Sequence, residues 1–500
     1  PADPIPEFKS TPKKKVFWAV IVLVLLSSLG FAGYKWSLGK SSETKSEDIK
    51  SVAILPFKPL NSSEEDEVLG LGMADALILK IGQLNKVNVS PTSSIRRFTT
   101  QPQIDAVSAG KALNVESVLE GTIQRTSDRI RITAQLVNVS DGRQIWSDKF
   151  EEKTADFFAL QDAIAVRVAN SLVAQFTEAE RKRMADRGTN NPEALRLYIL
   201  GCIWVERETT EGFNKSIEYL NKAIELDPNF SPAYAALSYT YTEASESHLP
   251  PSEAMPKAKL YAERALQIDD ASIWANYQIA WVKMLYDWDW NGAESGFKRS
   301  QELDLTSPRP YFGYGSLLAL TGRREEALAQ LEKAKKINPI NVIGANILYR
   351  TGEYDQAIAE SKKALELNPN RITSLQWIAM SYEAKGMYEE ALSYFEKARQ
   401  VEDTPELKAF EARTQALTGN KEQAKATIEE LKVIAQKRYV SPFYLAVIYA
   451  GLGEKDEAFV WLEKAYQDKS WWMATLRSNP QLDNLRDDPR FQDLLRRVNL

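Results

Sequence analysis

Residues 372–403 read "ITSLQWIAMSYEAKGMYEEALSYFEKARQVED", and the placing of one glycine among small and aromatic residues decides how the second half of the chain folds. Ala379 and Tyr382 stand before Gly386, and Tyr388, Ala391, Phe395 and Ala398 follow it at helical spacing. The pattern predicts two helices joined at a glycine turn, able to approach closely because the facing residues are small. The unit recurs: Gly322, Gly352, Gly386, Gly419 and Gly453 are each followed five residues later by Ala327, Ala357, Ala391, Ala424 and Ala458, at intervals of 30, 34, 33 and 34. A second register carries it upstream, through "LDP" at Leu226, "IDD" at Ile268, "LDL" at Leu303, "INP" at Ile337 and "LNP" at Leu367. Self-similarity of this period predicts a solenoid of stacked helical hairpins, each touching mainly its neighbours.

These features resemble the tetratricopeptide repeat family. About seven repeats fit between Pro192 and Ser470, so residues 190–470 are expected to form an all-α superhelix. The resemblance implies a concave groove that holds a protein or peptide segment, and it is silent on which one. Two departures stand out. Pro339 to Gly352 is four residues shorter than Pro369 to Gly386, which predicts a first helix truncated by one turn. "SESHLPPSEAMP" (Ser245 to Pro256) is expected to lengthen another turn into a proline-bearing loop around His248. The end, residues 471–500, breaks the repeat and is expected to supply a capping helix that shields the last hairpin's apolar face.

Upstream the period changes. "SVAILPF" (Ser51 to Phe57) reads as a buried strand, and Val68, Leu71, Ala74, Leu77, Ile78 and Ile81 then fall at helical spacing. "VNVSP" is a second strand and "QIDAVSAGKALNV" a second helix. "SVLEGTIQRT", "RIRITAQLVNV" and "QIWSDKFEEK" follow as strands turning at Ser127-Asp128 and Asp141-Gly142, before a helix over Asp156 to Phe176. The order β-α-β-α-β-β-β-α over residues 51–180 predicts a small α/β domain with a mixed sheet. "SVAILPF", "VLEGTIQR…RIRITAQLV" and "GRQIWSDKF" resemble the TolB-N-like or FlgO-like domain of bacterial signalling proteins. The last residues of the chain are similar to the tail common to tetratricopeptide arrays that follow such domains.

Val16 to Tyr34 runs without a charge for nineteen residues, about 28 Å as a helix, close to the hydrocarbon thickness of a bilayer. Trp18, Tyr34 and Trp36 have aromatic-belt placement, and Lys13 to Lys15 favour a cytoplasmic N-terminus. The expected order is a cytoplasmic linker (1–15), a membrane helix (16–34), a linker (35–50) and an exported remainder. A signal peptide with Gly30-Phe31-Ala32 as cleavage site is the alternative. Membrane-spanning proteins with this arrangement, by resemblance, carry a cytoplasmic output domain before the span: a CadC-like winged-helix regulator, an adenylate cyclase or a kinase. "PADPIPEFKST" has the composition of a linker to such a domain. A complete anchored envelope scaffold is the remaining reading.

One cysteine, Cys202, and one histidine, His248, leave no intrachain disulfide and no Cys/His zinc set. A net charge of −5 without a long basic block gives no footprint for nucleic acid. "GLGMAD" (Gly70 to Asp75) imitates a dinucleotide fingerprint but lacks its third glycine and follows the acidic run Glu64 to Glu67, so helix-entry glycines and a solvated loop are expected. "DWDWNG" (Asp287 to Gly292) opens like a calcium loop, but Lys298 stands where a bidentate glutamate belongs. Trp281, Trp288, Trp290, Trp471 and Trp472 are expected in inter-repeat core. No catalytic, cofactor-binding or metal-binding residue is expected, and the chain reads as a non-enzymatic, membrane-anchored sensor and interaction region. Oligomeric state stays open.

Overall fold

The computed structural model describes residues 51–60, 64–82, 87–90, 95, 98, 104–126, 129–153, 157–172, 188–205, 209–245, 248–303, 307–337, 344–367 and 369–500. The Val16–Tyr34 membrane helix, its flanking linkers 1–15 and 35–50, and the Ser127-Asp128 turn lie outside them. Among the described residues no helix is long and apolar enough to cross a membrane.

The first domain is a mixed sheet in the order β3-β1-β4-β5-β6, with the short β2 pairing β4. Its strands are β1 (Ser51–Ile54), β2 (Lys58–Pro59), β3 (Asn88–Val89), β4 (Ser117–Arg125), β5 (Arg129–Asn138) and β6 (Gln144–Lys153). β1 runs parallel to β3 and β4, while β4, β5 and β6 are antiparallel neighbours. Val52, Ala53 and Ile54 are wholly buried, as a continuous apolar run on a central parallel strand requires. The β5–β6 connection turns through Gly142 at φ 71°, a left-handed conformation that glycine adopts without steric cost.

Helices α1 (Glu64–Gly82), α2 (Ala106–Leu113) and α3 (Phe157–Leu172) cover the sheet. Leu119, Gly121 and Ile123 of β4 lie opposite Leu136, Ala134 and Ile132 of β5, so these residues share one face. Phe57 fills the gap above Gly121 on that face and bonds Gly70 of α1. Val118 points the other way, toward Gly110 of α2. Gly70 and Gly72 are therefore not at a helix entry. They sit within α1, where Gly70 meets the Phe57 carbonyl and Gly72 meets Ile199 of the next domain. Nor are Glu64–Glu67 a loop, because their backbone forms the first turn of α1.

The second domain is an all-α tetratricopeptide array, with eight helix pairs among the described residues. They are α4 (Pro192–Val205) with α5 (Thr210–Leu226), α6 (Ser231–Ala244) with α7 (Pro251–Ile268), and α8 (Ile273–Val282) with α9 (Trp290–Leu303). Next come α10 (Pro308–Leu320) with α11 (Arg324–Ile337), α12 (Ala345–Arg350) with α13 (Tyr354–Leu367), and α14 (Ile372–Ala384) with α15 (Tyr388–Val401). The last are α16 (Pro405–Leu417) with α17 (Lys421–Ala435) and α18 (Pro442–Leu452) with α19 (Lys455–Gln467). Five turns carry the expected glycine at φ between 75° and 90°. Ala327, Ala357, Ala391, Ala424 and Ala458 are fully buried. Helix α12 has six residues where α14 has thirteen.

The expected proline loop is smaller than its sequence implied. Helix α7 starts at Pro251, whose missing amide would be unbonded there in any case, and takes in Pro256 in its second turn at the loss of one i→i−4 bond to the Ser252 carbonyl. The two domains touch directly: α1 packs on α4 through Gly72, Ile199 and Ile203, and the Asn88 side chain donates to the Ile337 carbonyl at 2.6 Å.

Candidate interaction groove

The first helices of successive pairs pack on one another, as α6 does on α8 and α16 on α18, whereas successive second helices meet through long side chains, as Lys335 of α11 and Glu360 of α13 do at 3.3 Å. The first helices therefore line the inner face of the superhelix. The tail enters this inner face from Ser470, as two 3-10 segments, Trp471–Ser478 and Pro480–Leu485, followed by helix α20 (Pro489–Arg497). A simple terminal cap was expected. Only α20 behaves as one, lying on α19 through Arg497–Glu463 at 2.7 and 2.8 Å and Arg490–Asp456 at 2.9 Å.

Three anchors hold the rest. Trp472, 1 % exposed, stacks on Phe443 at 5.4 Å and meets Phe410 edge-on at the same distance, so α16 and α18 supply an aromatic slot. Below it, Arg413 pairs with Glu383 at 2.6 Å, both almost wholly buried. The Arg413 guanidinium also donates to the Gln481 carbonyl at 3.0 and 3.2 Å, and the Gln481 amide donates back to Glu383 at 3.2 Å. Thr414 donates its hydroxyl to the other Glu383 oxygen. A buried ion pair is tolerated only when its remaining bonding positions are filled, and here the tail fills them. Asn484 adds a bond to the Ala450 carbonyl at 2.8 Å.

The third anchor closes the array on itself. Helix α8 ends in a π-helical turn, Lys283–Asp287, after which Trp288 takes a left-handed φ of 55°. This is a strained conformation for a bulky residue, and such strain persists only where surrounding contacts fix it. The Trp288 ring stacks on Tyr466 at 5.1 Å, and Lys469 sits 3.8 Å over it. Asn499 donates to the Trp288 carbonyl at 3.2 Å, and the Trp290 indole donates to the Val498 carbonyl at 2.9 Å. The third and eighth pairs are thus joined across the inner face.

The residues singled out in the sequence divide accordingly. Asp289 of "DWDWNG" accepts from the Gly292 amide at 2.9 Å as a helix cap, and Asp287 pairs with Lys259 at 2.6 Å, so the segment is a structural turn. His248 packs its ring 4.7 Å from Phe213, and burial, then the charge of Arg438, lowers its pKa. Among the described residues no group of His, Cys, Asp and Glu is arranged to hold a metal ion. Glu383, Arg413 and Gln481 were missed by sequence reading, since a Glu and an Arg thirty residues apart look like solvated helix faces until the period is applied to them. Glu406 was missed too: burial pushes its carboxyl up in pKa, against bonds from Gln376 at 2.6 Å and Tyr444 at 3.5 Å.

Comparisons with known proteins agree with this division. Residues 48–167 match the family described as HilA/YgeH-like transcriptional regulator, second domain. Residues 210–230, 308–341, 343–371 and 372–400 match the tetratricopeptide repeat. The chain is 29% identical over 189 residues to a putative adenylate cyclase 3 of Rhizobium meliloti (strain 1021). That match covers 38% of this chain and 32% of the relative, so the chain spans about a third of that protein's length. Among solved structures, PilF of Pseudomonas aeruginosa is similar at 20% identity and TM-score 0.31, over 42% of this chain and 94% of that one. A tetratricopeptide repeat protein of Parabacteroides merdae ATCC 43184 is similar at 16% identity and TM-score 0.37, over 53% and 100%. The chain therefore joins a regulator-like domain to protein-interaction repeats, the combination shared with HilA-like regulators and a distant adenylate cyclase homologue.

Proposed function

We propose that this chain is the non-catalytic sensing and interaction region of a membrane-spanning bacterial regulator, anchored through Val16–Tyr34 with everything after Lys40 outside the cytoplasm. The observation that carries the reading is the match of residues 48–167 to the second domain of a transcriptional regulator, directly followed by repeats whose inner face already holds a peptide-like segment. In this reading a DNA-binding output domain precedes the span, and the α/β domain and array report to it. A protein or peptide is the partner class, met at the inner face of the array. The adenylate cyclase relative favours a second reading in which the output is cyclic-nucleotide synthesis.

Two measurements test the proposal. Alkaline phosphatase fused after Leu500 is expected to be active and a fluorescent protein that folds only in the cytoplasm to be dark; the opposite pattern overturns the topology. Sequencing the coding DNA 5′ of Pro1 is expected to show an open frame with a winged helix. A cyclase domain there selects the second reading, and a start codon within a few residues of Pro1 overturns both.

A further inference from the structure

Arg350 closes the six-residue helix α12, and its Nη1 is sealed from solvent with no hydrogen-bond partner among the described residues. The Asn346 Oδ1 and the Tyr349 hydroxyl are in the same condition. Positions 346, 349 and 350 are spaced i, i+3, i+4, so the three side chains share one helix face. One polar atom on each of three side chains of this face is thus enclosed and unbonded, which is unusual for a native interior.

The charge makes the anomaly sharper. Arg350 has no carboxylate within ion-pair distance among the described residues, whereas the neighbouring buried Arg413 is paired with Glu383. Its guanidinium does lie over the Trp377 ring, at 5.9 Å, but a cation–π contact at that range compensates a desolvated charge only in part. Burial accordingly lowers its pKa to about 10. The tail does not supply the missing partner, since its bonds described above go to Glu383, Arg413, Ala450, Trp288 and Trp290.

We propose that Arg350, Tyr349 and Asn346 form a recognition site for an oxyanion, a carboxylate or phosphate group, on the inner face of the fifth helix pair. The guanidinium offers a donor fork matched to two oxygens, the Tyr349 hydroxyl offers a further donor, and the Asn346 amide, turned over so that its nitrogen replaces the unbonded Oδ1, offers another. Trp377 lies on one side of the guanidinium, its ring centroid 5.9 Å away. The site is independent of any output domain and of the membrane anchor.

The test uses the full chain in detergent at constant ionic strength, with chloride replaced by inorganic phosphate, by succinate, or by an N-acetylated tri-glutamate peptide. Wild type is expected to melt at a temperature that rises saturably with at least one probe. Arg350→Met is expected to lose that rise while melting no lower than wild type without the probe, because it removes an uncompensated buried charge. Arg350→Lys, which keeps the charge but not the fork, is expected to weaken the apparent affinity about tenfold. A response to phosphate or succinate assigns a free small anion, and a response to the peptide alone assigns an acidic segment of a partner. Equal behaviour of wild type and Arg350→Met with all three probes, including no response in either, overturns the proposal. If Arg350→Met does not fold, a wild-type response in Arg350→Lys overturns it equally.

Discussion

Trp472 shows how much one residue contributes to the inner face. It is enclosed by Phe410, Phe443 and Trp471, so Trp472→Ala leaves a large cavity and is expected to cost about 3–5 kcal/mol in urea unfolding followed by far-ultraviolet circular dichroism. The polar anchor answers to different physics. Glu383→Gln strands the buried Arg413 charge and is expected to cost about 3–5 kcal/mol, whereas Glu383→Leu with Arg413→Met removes both charges and is expected to recover most of that. An equal loss in the single and double variants would show that packing, not charge, governs the site. Glu294 contributes to the acid sensitivity, as do other carboxylates held low by their partners, Asp403 and Glu463 among them. Burial raises the Glu294 pKa, but bonds from Lys298, Tyr314 and Arg323 outweigh that and lower it to about 2. A folded pKa below the unfolded value means its stabilisation is present above about pH 4.5 and is lost as the pH falls toward 2. Glu294→Gln is therefore expected to lower stability at pH 7 by about 1–2 kcal/mol, discounted because Lys298 and Arg323 are partly exposed. The two proteins should converge only as the pH falls to about 2 and below when unfolding is followed across the range.

The turn is the element that the sequence displays most openly. A helical hairpin needs one left-handed residue between its helices, and glycine pays no Cβ penalty there, so its recurrence near every thirty-fourth residue could be read without coordinates. Gly386 has open space around its Cβ position, which isolates the backbone contribution from any clash. Gly386→Ala is expected to lower stability by about 1 kcal/mol and Gly386→Asn by about half as much, because asparagine tolerates φ above zero. A larger loss for asparagine than for alanine in thermal melts would contradict this account. That the first helix of the fifth pair is shortened was legible for the same reason, but its extent was not: the interval predicts a loss of one turn, whereas α12 has six residues against thirteen in α14. The start of α7 was not, since "LPPSEAMP" satisfies both a loop and a helix N-terminus, and only the tertiary packing of Ala254, Met255 and Ala258 into the core selects the helix. Likewise the glycines of "GLGMAD" announce a close approach without saying to what; Phe57 and Ile199 are distant in sequence, and no local pattern names them.

At the scale of the whole molecule, the tail decides whether the inner face is open. Its apolar and aromatic residues read from the sequence as a cap, because a solenoid end must be covered and nothing in a linear pattern shows that the array curves far enough for its third pair to meet its eighth. The closure rests on Trp288. Its ring lies between Tyr466 and Lys469, its carbonyl accepts from Asn499, and its neighbour Trp290 bonds Val498, so the clasp ties one turn of the array to the end of α19 and to the chain's last residues. The aromatic slot and the Glu383–Arg413–Gln481 network stand apart from it. Trp288→Ala removes the ring contacts but keeps a Cβ at a left-handed position, so the backbone strain remains and nothing offsets the lost packing. The helix pairs themselves need no contact across the ring, because each is stabilised by its neighbours. Hydrogen exchange on the full chain is therefore expected to show lost protection confined to residues 283–291, 466–470 and 486–500, with α10 to α18 unchanged and residues 471–485 still held by Trp472. Faster exchange spread evenly from α8 to α19 would mean instead that the tail is an integral core of the superhelix, and a partner could then reach the inner face only by unfolding the array.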